Sequence, residues 1–342
     1  MSTQQFSTIG PLGVVIAQTL ESLGIEPVPL FESAGINFAA LTDPNTRIPS
    51  GAFLDLLQQV EQHPGTACFG LKLSRFVHPT TFYSLGVAAY CSNTLGDYIE
   101  RMVRYYAVVT TNDRMEMTVD EGCCRLTWIH DNPMAFPALR EDGIAALFFT
   151  ILRIALHDDL NLIRAELARP EPVGLAEQYQ AFFGCEVHFG AANTALYLPE
   201  DLLKRRLVSA DPSLVSIYEQ LTQQYVEQME KADFPSRVRN ELVRLLPTGI
   251  SGKERVAREL CVSTRTLYNR LEEAGTTYRQ VLDETRLLLA KQYLADGLPV
   301  NEIAYLTGFS DTANFSRAFK KWTGSAPMSY RESLQSREEI PP

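Results

Sequence analysis

Residues 234–337 carry one short sequence pattern twice, and this repetition is the strongest constraint on how the chain folds. In each copy a small alanine lies on one amphipathic segment, a turn follows four residues later, and an apolar anchor stands on the next segment. The members are Ala257, residues 261–262 and Leu267 in the first copy, and Ala304, Gly308 and Phe315 in the second. A small residue lets two helices approach closely, and the anchor closes the core between them. The pattern predicts two helix-turn-helix units.

The residues between the two copies predict a single rigid helix. Apolar residues recur at helical spacing over 278–295, and the segment ends at Gly297 and Pro299. A helix of 18 residues is about 27 Å long. This length is close to the ~34 Å that separates successive major-groove faces of DNA. One rod could therefore place two recognition helices in neighbouring grooves.

The first 233 residues have a different character, because helical and strand patterns alternate there. Strands are predicted at 114–119 and 124–130, joined by a hairpin turn at 120–122, and at 162–167, 185–189 and 195–198. Helices are predicted at 12–23, 52–61 with Ser50 as its cap, 137–156 and 214–229. We therefore predict an α+β domain over residues 1–233, a boundary near 231–236, and an all-α double helix-turn-helix domain over 234–337.

Charge divides the chain at the same place. The formal net charge of the whole chain is −10. Residues 234–337 hold 16 Lys and Arg against 11 Asp and Glu, a net charge of +5, whereas residues 1–233 hold 15 against 28, a net charge of −13. An acidic body with a basic C-terminal module indicates two separate tasks.

Several classes of protein are excluded by what the sequence lacks. The apolar stretch at 144–156 is interrupted by Arg153 and is too short to cross a bilayer, and the first twenty residues have no signal-peptide pattern. The six cysteines are scattered without a CxxC pair, so neither a disulfide framework nor a zinc site is expected. Catalytic motifs such as GxSxG, HExxH, a phosphate loop or a strand-linked GxGxxG are absent. We expect a cytoplasmic protein without cofactor, metal, membrane partner or enzymatic activity.

Four C-terminal segments carry a family resemblance. They are STRTLYNRL (263–271), EIAYLTGFSD (302–311), NFSRAFKKWTG (314–324) and APMSYR (326–331). In this order and spacing they resemble the DNA-binding domain of the AraC/XylS family. The resemblance implies a transcription regulator that binds double-stranded promoter DNA and contacts RNA polymerase, most often as an activator. One departure is Cys261, which stands where the family usually has glycine.

The N-terminal part is similar to the sensor domain of the ornithine-utilisation and mycobacterial virulence regulators within that family. The similarity rests on length, position and the segments GLKL (70–73) and FFGCEVHF (182–189). It implies a domain that binds a small-molecule effector and forms a homodimer. The helix predicted at 214–229 is the candidate for dimer contacts or for transmission between the domains, and an ordinary core helix is the alternative.

The two predicted recognition helices differ in their exposed residues. On the first, Arg265, Tyr268 and Asn269 share the face opposite the apolar anchors; arginine can bond guanine and asparagine can bond adenine through two hydrogen bonds. On the second, the exposed residues are Thr312, Ala313, Ser316 and Arg317, followed by Lys320. Small residues there favour shape fitting and phosphate contacts, with Arg317 as the main contact. Lys320, Lys321 and Arg270 are phosphate neighbours or solvated charges.

An effector pocket is predicted among the aromatic residues of the first domain. The candidates are Phe82, Tyr83, Tyr105, Tyr106, Trp128 and Phe148. Ordinary core packing is the alternative for each of them, because aromatic stripes usually lie in cores.

Three other groups have a simpler interpretation than a site. His157, Asp158 and Asp159 favour a solubilising helix end over a metal site, since adjacent side chains point apart. Cys123 and Cys124 lie on opposite faces of a strand, so that one is core. Residues 204–206 form a basic run that is a helix surface, an interdomain contact or a DNA contact. Two other functions remain open: a constitutive DNA-binding protein whose first domain only dimerises, and an alkylation-repair enzyme fused to the same DNA-binding module.

Overall fold

The computed structural model describes residues 6–43, 45–132, 134–157, 160–249 and 252–338. The chain divides into two compact units, Phe6–Val226 and the residues from Glu227 onward. The division falls inside one helix, and the boundary predicted between residues 233 and 234 lies seven residues further along that helix.

The first unit alternates helices and strands. In chain order it contains β1 (Ser7–Ile9), α1 (Gly10–Ser22), α2 (Pro27–Ser33), β2 (Arg47–Pro49), α3 (Ser50–Gln62), α4 (Phe69–Lys72), α5 (Tyr83–Tyr90), α6 (Leu95–Arg104), β3 (Asp113–Asp120), β4 (Cys123–His130), α7 (Ala138–Ala155), β5 (Arg164–Leu167), α8 (Ala176–Phe183), β6 (Glu186–Phe189), β7 (Thr194–Pro199) and the first part of α9 (Pro212–Leu245). Short 3-10 helices lie at Phe38–Thr42, Leu73–Arg75, Pro79–Phe82, Tyr106–Val108 and Glu200–Lys204.

Five of the seven strands in the described residues form one mixed sheet. Their order is β3-β4-β7-β5-β6, with β5 and β6 parallel and the other neighbouring pairs antiparallel. β3 and β4 form the hairpin that the sequence predicts. Glu121 and Gly122 in its turn both have left-handed backbones, with φ of 48° and 79°, and this geometry matches the twist of paired strands. The first unit is α+β, as predicted.

Helix α7 lies in the middle of the first unit's core. Thirteen of its 18 residues are buried. Phe148 of α7 packs on Trp128 of β4 with ring centroids 4.9 Å apart. The buried residues also include three consecutive charged side chains, Arg140, Glu141 and Asp142. Buried charges are costly unless they are paired, so this end of α7 requires a network of polar partners.

A close approach of α4 fixes the beginning of α7. A Cβ atom on Gly70 would lie 2.4 Å from the Cβ of Asp142 and 2.6 Å from the carbonyl oxygen of Leu139. Only glycine fits this contact, which explains the glycine of the 70–73 segment and holds the charged residues of α7 in place.

Ser50 does not cap α3, and that prediction is wrong. The helix follows Pro49 without a side-chain cap, and the Ser50 hydroxyl donates to Oδ1 of Asn112 at 2.6 Å. Asn112 in turn donates to the hydroxyls of Thr8 and Thr110. Because buried polar groups must find partners, this long-range network outweighs the local cap.

The segment expected to link the domains is helical. α9 continues from the predicted 214–229 helix to Leu245, with Pro235 inside it. Phe234, Val238 and Leu242 recur at helical spacing and are buried in the core of the second unit. Their burial outweighs the tendency of proline to end a helix.

The second unit consists of helices in its described residues. After α9 come a 3-10 turn at Leu246–Thr248, α10 (Lys253–Glu259), α11 (Thr264–Glu273), α12 (Tyr278–Ala295), α13 (Val300–Leu306), α14 (Thr312–Thr323) and α15 (Pro327–Glu338). α12 contributes to two small cores, through Val281 and Leu289 to the first and through Ala290 and Leu294 to the second. The double helix-turn-helix fold is confirmed, and α12 spans the 18 residues that the sequence predicts.

Candidate nucleic-acid interface and effector pocket

Helix α11 begins at a side-chain cap and projects polar residues away from its core. The backbone N–H of Thr266 donates to Oγ of Ser263 at 3.0 Å, which satisfies one of the free donors at a helix start. Leu267 and Leu271 are fully buried. The opposite face is therefore open, and Arg265, Tyr268 and Asn269 are exposed on it.

A lysine of α10 contacts the aromatic residue of this face. Nζ of Lys253 lies 5.3 Å from the ring centroid of Tyr268, whose side chain is 41% exposed. The pair places a positive charge beside the exposed face of α11, where phosphate oxygens can be contacted.

Helix α14 also begins at a side-chain cap and exposes one polar face, but some of its exposed side chains are smaller than those of α11. The backbone N–H of Asn314 donates to Oδ1 of Asp311 at 2.7 Å, so Asp311 caps the start of the helix. Nη2 of Arg317 donates to Oδ1 of Asn314 at 2.7 Å, which fixes the guanidinium one turn from the helix start. The exposed face carries Thr312, Ala313, Arg317 and Lys320, with Ser316 half-buried beside them.

The turn before α14 is fixed by a residue that sequence reasoning missed. Nε and Nη2 of Arg286 on α12 donate to the carbonyl oxygens of Thr307 and Gly308, each at 3.0 Å. Gly308, the turn residue of the second copy, has a left-handed backbone with φ of 72°. Arg286 thus ties the second helix-turn-helix to the central rod. Its partners lie about twenty positions away, so local patterns give no signal for it.

Arg270 and Lys321, the two other basic residues considered for phosphate contacts, have different surroundings. The guanidinium of Arg270 lies over the ring of Phe234, 5.4 Å from its centroid, so packing accounts for its position. Lys321 is exposed near the end of α14.

Three of the six aromatic candidates in the first unit line one cavity. Phe82, Tyr106 and Phe148 form part of its wall. The cavity has a volume of about 70 Å³, and its other walls come mainly from aliphatic side chains of α1, α3 and α7. Trp128 packs against Phe148 and is fully buried.

The other two tyrosines contact α9. The Tyr83 ring packs against Tyr225 with centroids 6.5 Å apart. The Tyr105 hydroxyl donates to Oε1 of Glu219 at 3.4 Å, and Glu219 also binds Arg101 at 3.0 Å. The candidates therefore fall into two groups, one at the cavity and one against α9.

Four polar residues border the otherwise apolar cavity, which the sequence did not indicate. Thr8, Thr110, Asp113 and Arg140 reach it. Arg140 is paired with the Asp113 carboxylate through Nη2. Burial and the nearby Asp113 charge raise the pKa of Tyr106 well above its usual range, so its hydroxyl is neutral.

A second pocket, of about 340 Å³, shares Arg140 with the cavity. Its lining includes His130, Glu141 and Arg169. Hydrogen bonds to the carboxylates of Asp113 and Glu141 raise the pKa of His130 to about 9. His130 is therefore a cation at neutral pH.

A buried carboxylate holds Arg169 in place. Asp142 accepts hydrogen bonds from Arg169 and, at 2.7 Å, from the hydroxyl of Tyr179. Burial nonetheless raises the pKa of Asp142 to about 6.

The histidine–aspartate group at 157–159, the two adjacent cysteines and the basic run at 204–206 form no metal site within the described residues. Asp158 and Asp159 lie outside the described ranges, and within those ranges no cluster of three or more His, Cys, Asp or Glu could hold a metal ion. Cys124 is buried and Cys123 half-buried; burial raises the pKa of Cys124 to about 11. In the basic run 204–206, the carbonyl oxygen of Arg205 accepts a hydrogen bond from the N–H of Leu95.

None of the described helices is both long enough and apolar enough to span a membrane.

Comparison with known proteins agrees with this architecture. A family model described as the arabinose-binding N-terminal domain of AraC transcription regulator matches residues 24–207, and one described as a helix-turn-helix domain matches residues 256–333. The ornithine utilization regulator of Pseudomonas aeruginosa is 33% identical over 313 residues, 91% of this chain and 92% of the relative. The transcriptional regulator VirS of Mycobacterium tuberculosis is 25% identical, over 91% of this chain and 92% of the relative. The crystal structure of the regulator CdpR from Pseudomonas aeruginosa covers 93% of this chain and 97% of its own, with 24% identity and a TM-score of 0.48.

A ligand-binding type of α+β domain followed by two helix-turn-helix units on a shared helix defines a DNA-binding transcription regulator. The match over both domains then gives the family. The chain belongs to the AraC family of transcription regulators.

Proposed function

We propose that the chain is a transcriptional activator that binds promoter DNA as a homodimer, contacts RNA polymerase and is controlled by a small molecule bound in its first unit. It acts in the cytoplasm, where promoter DNA lies, and catalyses no reaction. The observation that carries the proposal is the pair of capped helices, α11 and α14, which project exposed polar residues from two cores that share α12.

The two helices divide the work of recognition. Arg265 and Asn269 on α11 reach base edges, because their side chains can each make two hydrogen bonds to one base. α14 offers small side chains around Arg317, so it fits the groove by shape and binds phosphates. Lys320 adds a phosphate contact. Tyr268, supported by Lys253, completes the first surface.

The effector site is the aromatic cavity, whose mainly apolar wall has a few polar residues at its border. At about 70 Å³ the cavity is roughly half the ~150 Å³ of an engineered cavity that holds benzene. Occupancy by a larger molecule therefore requires the walls to move. Such a movement displaces Phe148, which packs on Trp128, and with it α7, which runs through the core. A ligand that binds the displaced arrangement better shifts an existing equilibrium between two arrangements of the unit. The matching family model is named for arabinose, yet these mainly apolar walls offer few partners to a sugar.

Dimer formation uses the outer face of α9. Leu214, Ile217 and Leu221 are exposed by 39%, 54% and 46% and are spaced three and four residues apart, as in a coiled-coil seam. The inner face carries Glu219, which binds Arg101. Exposed leucine and isoleucine on one stripe favour a second copy of the same helix as the partner.

A regulator that binds DNA constitutively is the second candidate, and the small volume of the cavity favours it. A gel-shift titration separates the two candidates. It uses promoter DNA of the genes that neighbour the gene of this regulator, with and without extracts of small metabolites. Under effector control the affinity or the number of shifted species changes with the extract. An unchanged titration with every fraction contradicts effector control, and failure to prefer any promoter DNA over scrambled DNA contradicts the regulator itself.

A further inference from the structure

The polar pocket that shares Arg140 with the aromatic cavity has an unusual distribution of charge. Three cationic side chains, His130, Arg140 and Arg169, line it, and Glu141 is the one carboxylate among its lining residues in the part of the chain that the structure describes. The remaining walls are formed by Met134, Ala135, Phe136, Ala138, Ala168 and Pro170. The pocket thus combines cationic side chains with apolar surface.

The carboxylates that balance the two arginines stand outside this lining. Arg140 is held by Asp113, and Arg169 by Asp142 and the Tyr179 hydroxyl. Neither aspartate lines the pocket. The ion pairs therefore hold both guanidinium groups rigidly at the pocket wall. Arg169 uses Nε for the carbonyl oxygen of Pro170 and Nη1 for Asp142 and Tyr179, so of its five N–H donors the two on Nη2 are the ones left for a ligand among the described residues.

The one lining carboxylate is already saturated. Glu141 lies 3.3 Å from Nε2 of His130 and 3.4 Å from Nη1 of Arg140, and it accepts a hydrogen bond from Thr194 at 2.5 Å. His130 is also bonded to Asp113 at 2.8 Å. Glu141 thus has little capacity left for a ligand. The three cations are balanced by three carboxylates, Glu141, Asp113 and Asp142, so the pocket offers fixed N–H donors at its wall rather than a net positive charge.

We propose that this pocket binds the carboxylate of a small organic acid with an apolar body, through Arg169 and Arg140. A planar carboxylate matches the two-pronged donor of a guanidinium. The methionine, phenylalanine, alanine and proline walls suit an apolar body and give no partners to the additional oxygens of a phosphate. The pocket is a second ligand site beside the aromatic cavity, with which it shares Arg140, and only the link from this site to promoter binding rests on effector control as proposed above.

The first test measures the thermal unfolding of the full chain with butyrate, hexanoate and benzoate. Each acid is paired with its neutral amide, which keeps the shape and removes the charge, and inorganic phosphate serves as a charged control. We expect the melting temperature to rise with acid concentration, since a ligand that binds only the folded state stabilises it, and to stay constant with amides and phosphate. Equal shifts with acid and amide, equal shifts with phosphate, or no shift with any acid would each overturn the proposal.

The second test assigns the effect to Arg169. We expect Arg169→Gln to weaken acid binding at least tenfold in calorimetric titrations. Because this change leaves Asp142 buried without its cation, the double variant Asp142→Asn/Arg169→Gln keeps the test valid if the single variant unfolds. The matched control is Arg164→Gln, which removes a half-exposed arginine bonded to Glu166 on β5, outside the pocket. Unchanged binding in the Arg169 variants, or the same loss in the control, contradicts the assignment.

The two proposals fail in different ways. If no acid binds but another metabolite still changes promoter binding, the carboxylate site is wrong and effector control stands. If acids bind in the Arg169-dependent manner and promoter binding does not respond to them, the site is real and effector control through this site is wrong.

Discussion

The guanidinium of Arg286 stacks on the ring of Phe309, 4.4 Å from its centroid. The same group caps the end of α13 through the carbonyl oxygens of Thr307 and Gly308. One side chain of the central helix thereby holds both the turn and the aromatic residue that precede α14. The second recognition helix is therefore positioned by this arginine at its start and by the buried anchors Phe315 and Phe319 along its length.

We expect Arg286→Ala to lower the free energy of unfolding of the second unit by about 2–4 kcal/mol, from two hydrogen bonds of a charged donor and one cation–π contact. Urea denaturation followed by Trp322 fluorescence in a Trp128→Phe background measures this unit alone, because the chain has two tryptophans. Arg279→Ala on the same helix is the control, since that side chain is 86% exposed. A loss no larger than in the control would show that the cap is dispensable.

The substitution Cys261→Gly should stabilise the second unit. Cys261 has a left-handed backbone, with φ of 55°, at the turn where the family usually has glycine. Glycine removes the strain of such a residue, which is about 1–2 kcal/mol. Against this gain, glycine lowers the stability by about 0.4–1 kcal/mol, because it increases the entropy of the unfolded chain. We expect a net gain of about 0.5–1 kcal/mol by the same fluorescence measurement.

Cys261→Ala is the matched control for that gain. Alanine removes the thiol and keeps the Cβ atom, so its stability should stay close to that of the original chain. An equal gain in both variants would mean that the thiol, rather than the backbone, is responsible.

The stability of the first unit should fall as the pH rises from about 6.5 to 9. His130 has a pKa of about 9 in the folded chain against an ordinary value of 6.5. Its protonated form therefore stabilises the fold fully below pH 6.5, and this contribution is lost as the pH rises through 9. Because 35% of the side chain is exposed, solvent screens the pairs, and we expect a loss of about 1–2 kcal/mol.

The measurement is urea denaturation at both pH values, followed by Trp128 fluorescence in a Trp322→Phe background. His130→Gln should remove a large part of the difference between the two pH values. His63→Gln should not, because Nδ1 of His63 contacts the Pro64 carbonyl oxygen rather than a carboxylate. The remainder in His130→Gln comes from buried thiols such as Cys124, whose raised pKa also makes the fold less stable as the pH approaches 9. A difference that persists undiminished in His130→Gln assigns the titration to another group.

Local patterns were sufficient for the hairpin and the longer helices, and insufficient for short elements such as β1 and α2 and for the pockets. The hairpin at Glu121 and Gly122 and the 18-residue α12 follow from alternation and periodicity within a few residues. The pairing of Asp113 with Arg140 joins positions 27 residues apart, and no spacing rule predicts it. Ser50 shows the same limit, since a distant asparagine outweighs the local cap.

The aromatic candidates show why residue type alone locates a cavity only in part. Phe82 and Phe148 line it, whereas Tyr105 contacts α9 through Glu219. Tyrosine occurs in both groups, since Tyr106 lines the cavity and Tyr105 next to it contacts α9, so the packing of α7 and α9 rather than the residue type separates them.

The last prediction separates the roles of the two recognition helices. Arg265→Ala should cost about 1–3 kcal/mol on the cognate site and relax the preference at one or two base pairs, because a two-pronged base contact is lost. Lys320→Ala should weaken binding to all sequences about equally and reduce the slope of log affinity against log salt by about one, because one phosphate contact is lost. Binding curves on cognate and scrambled duplexes at several salt concentrations measure both effects, with Arg279→Ala as an exposed arginine outside the two recognition helices. If Arg265→Ala weakens both duplexes alike while Lys320→Ala changes the sequence preference, the assignment of the two faces is reversed.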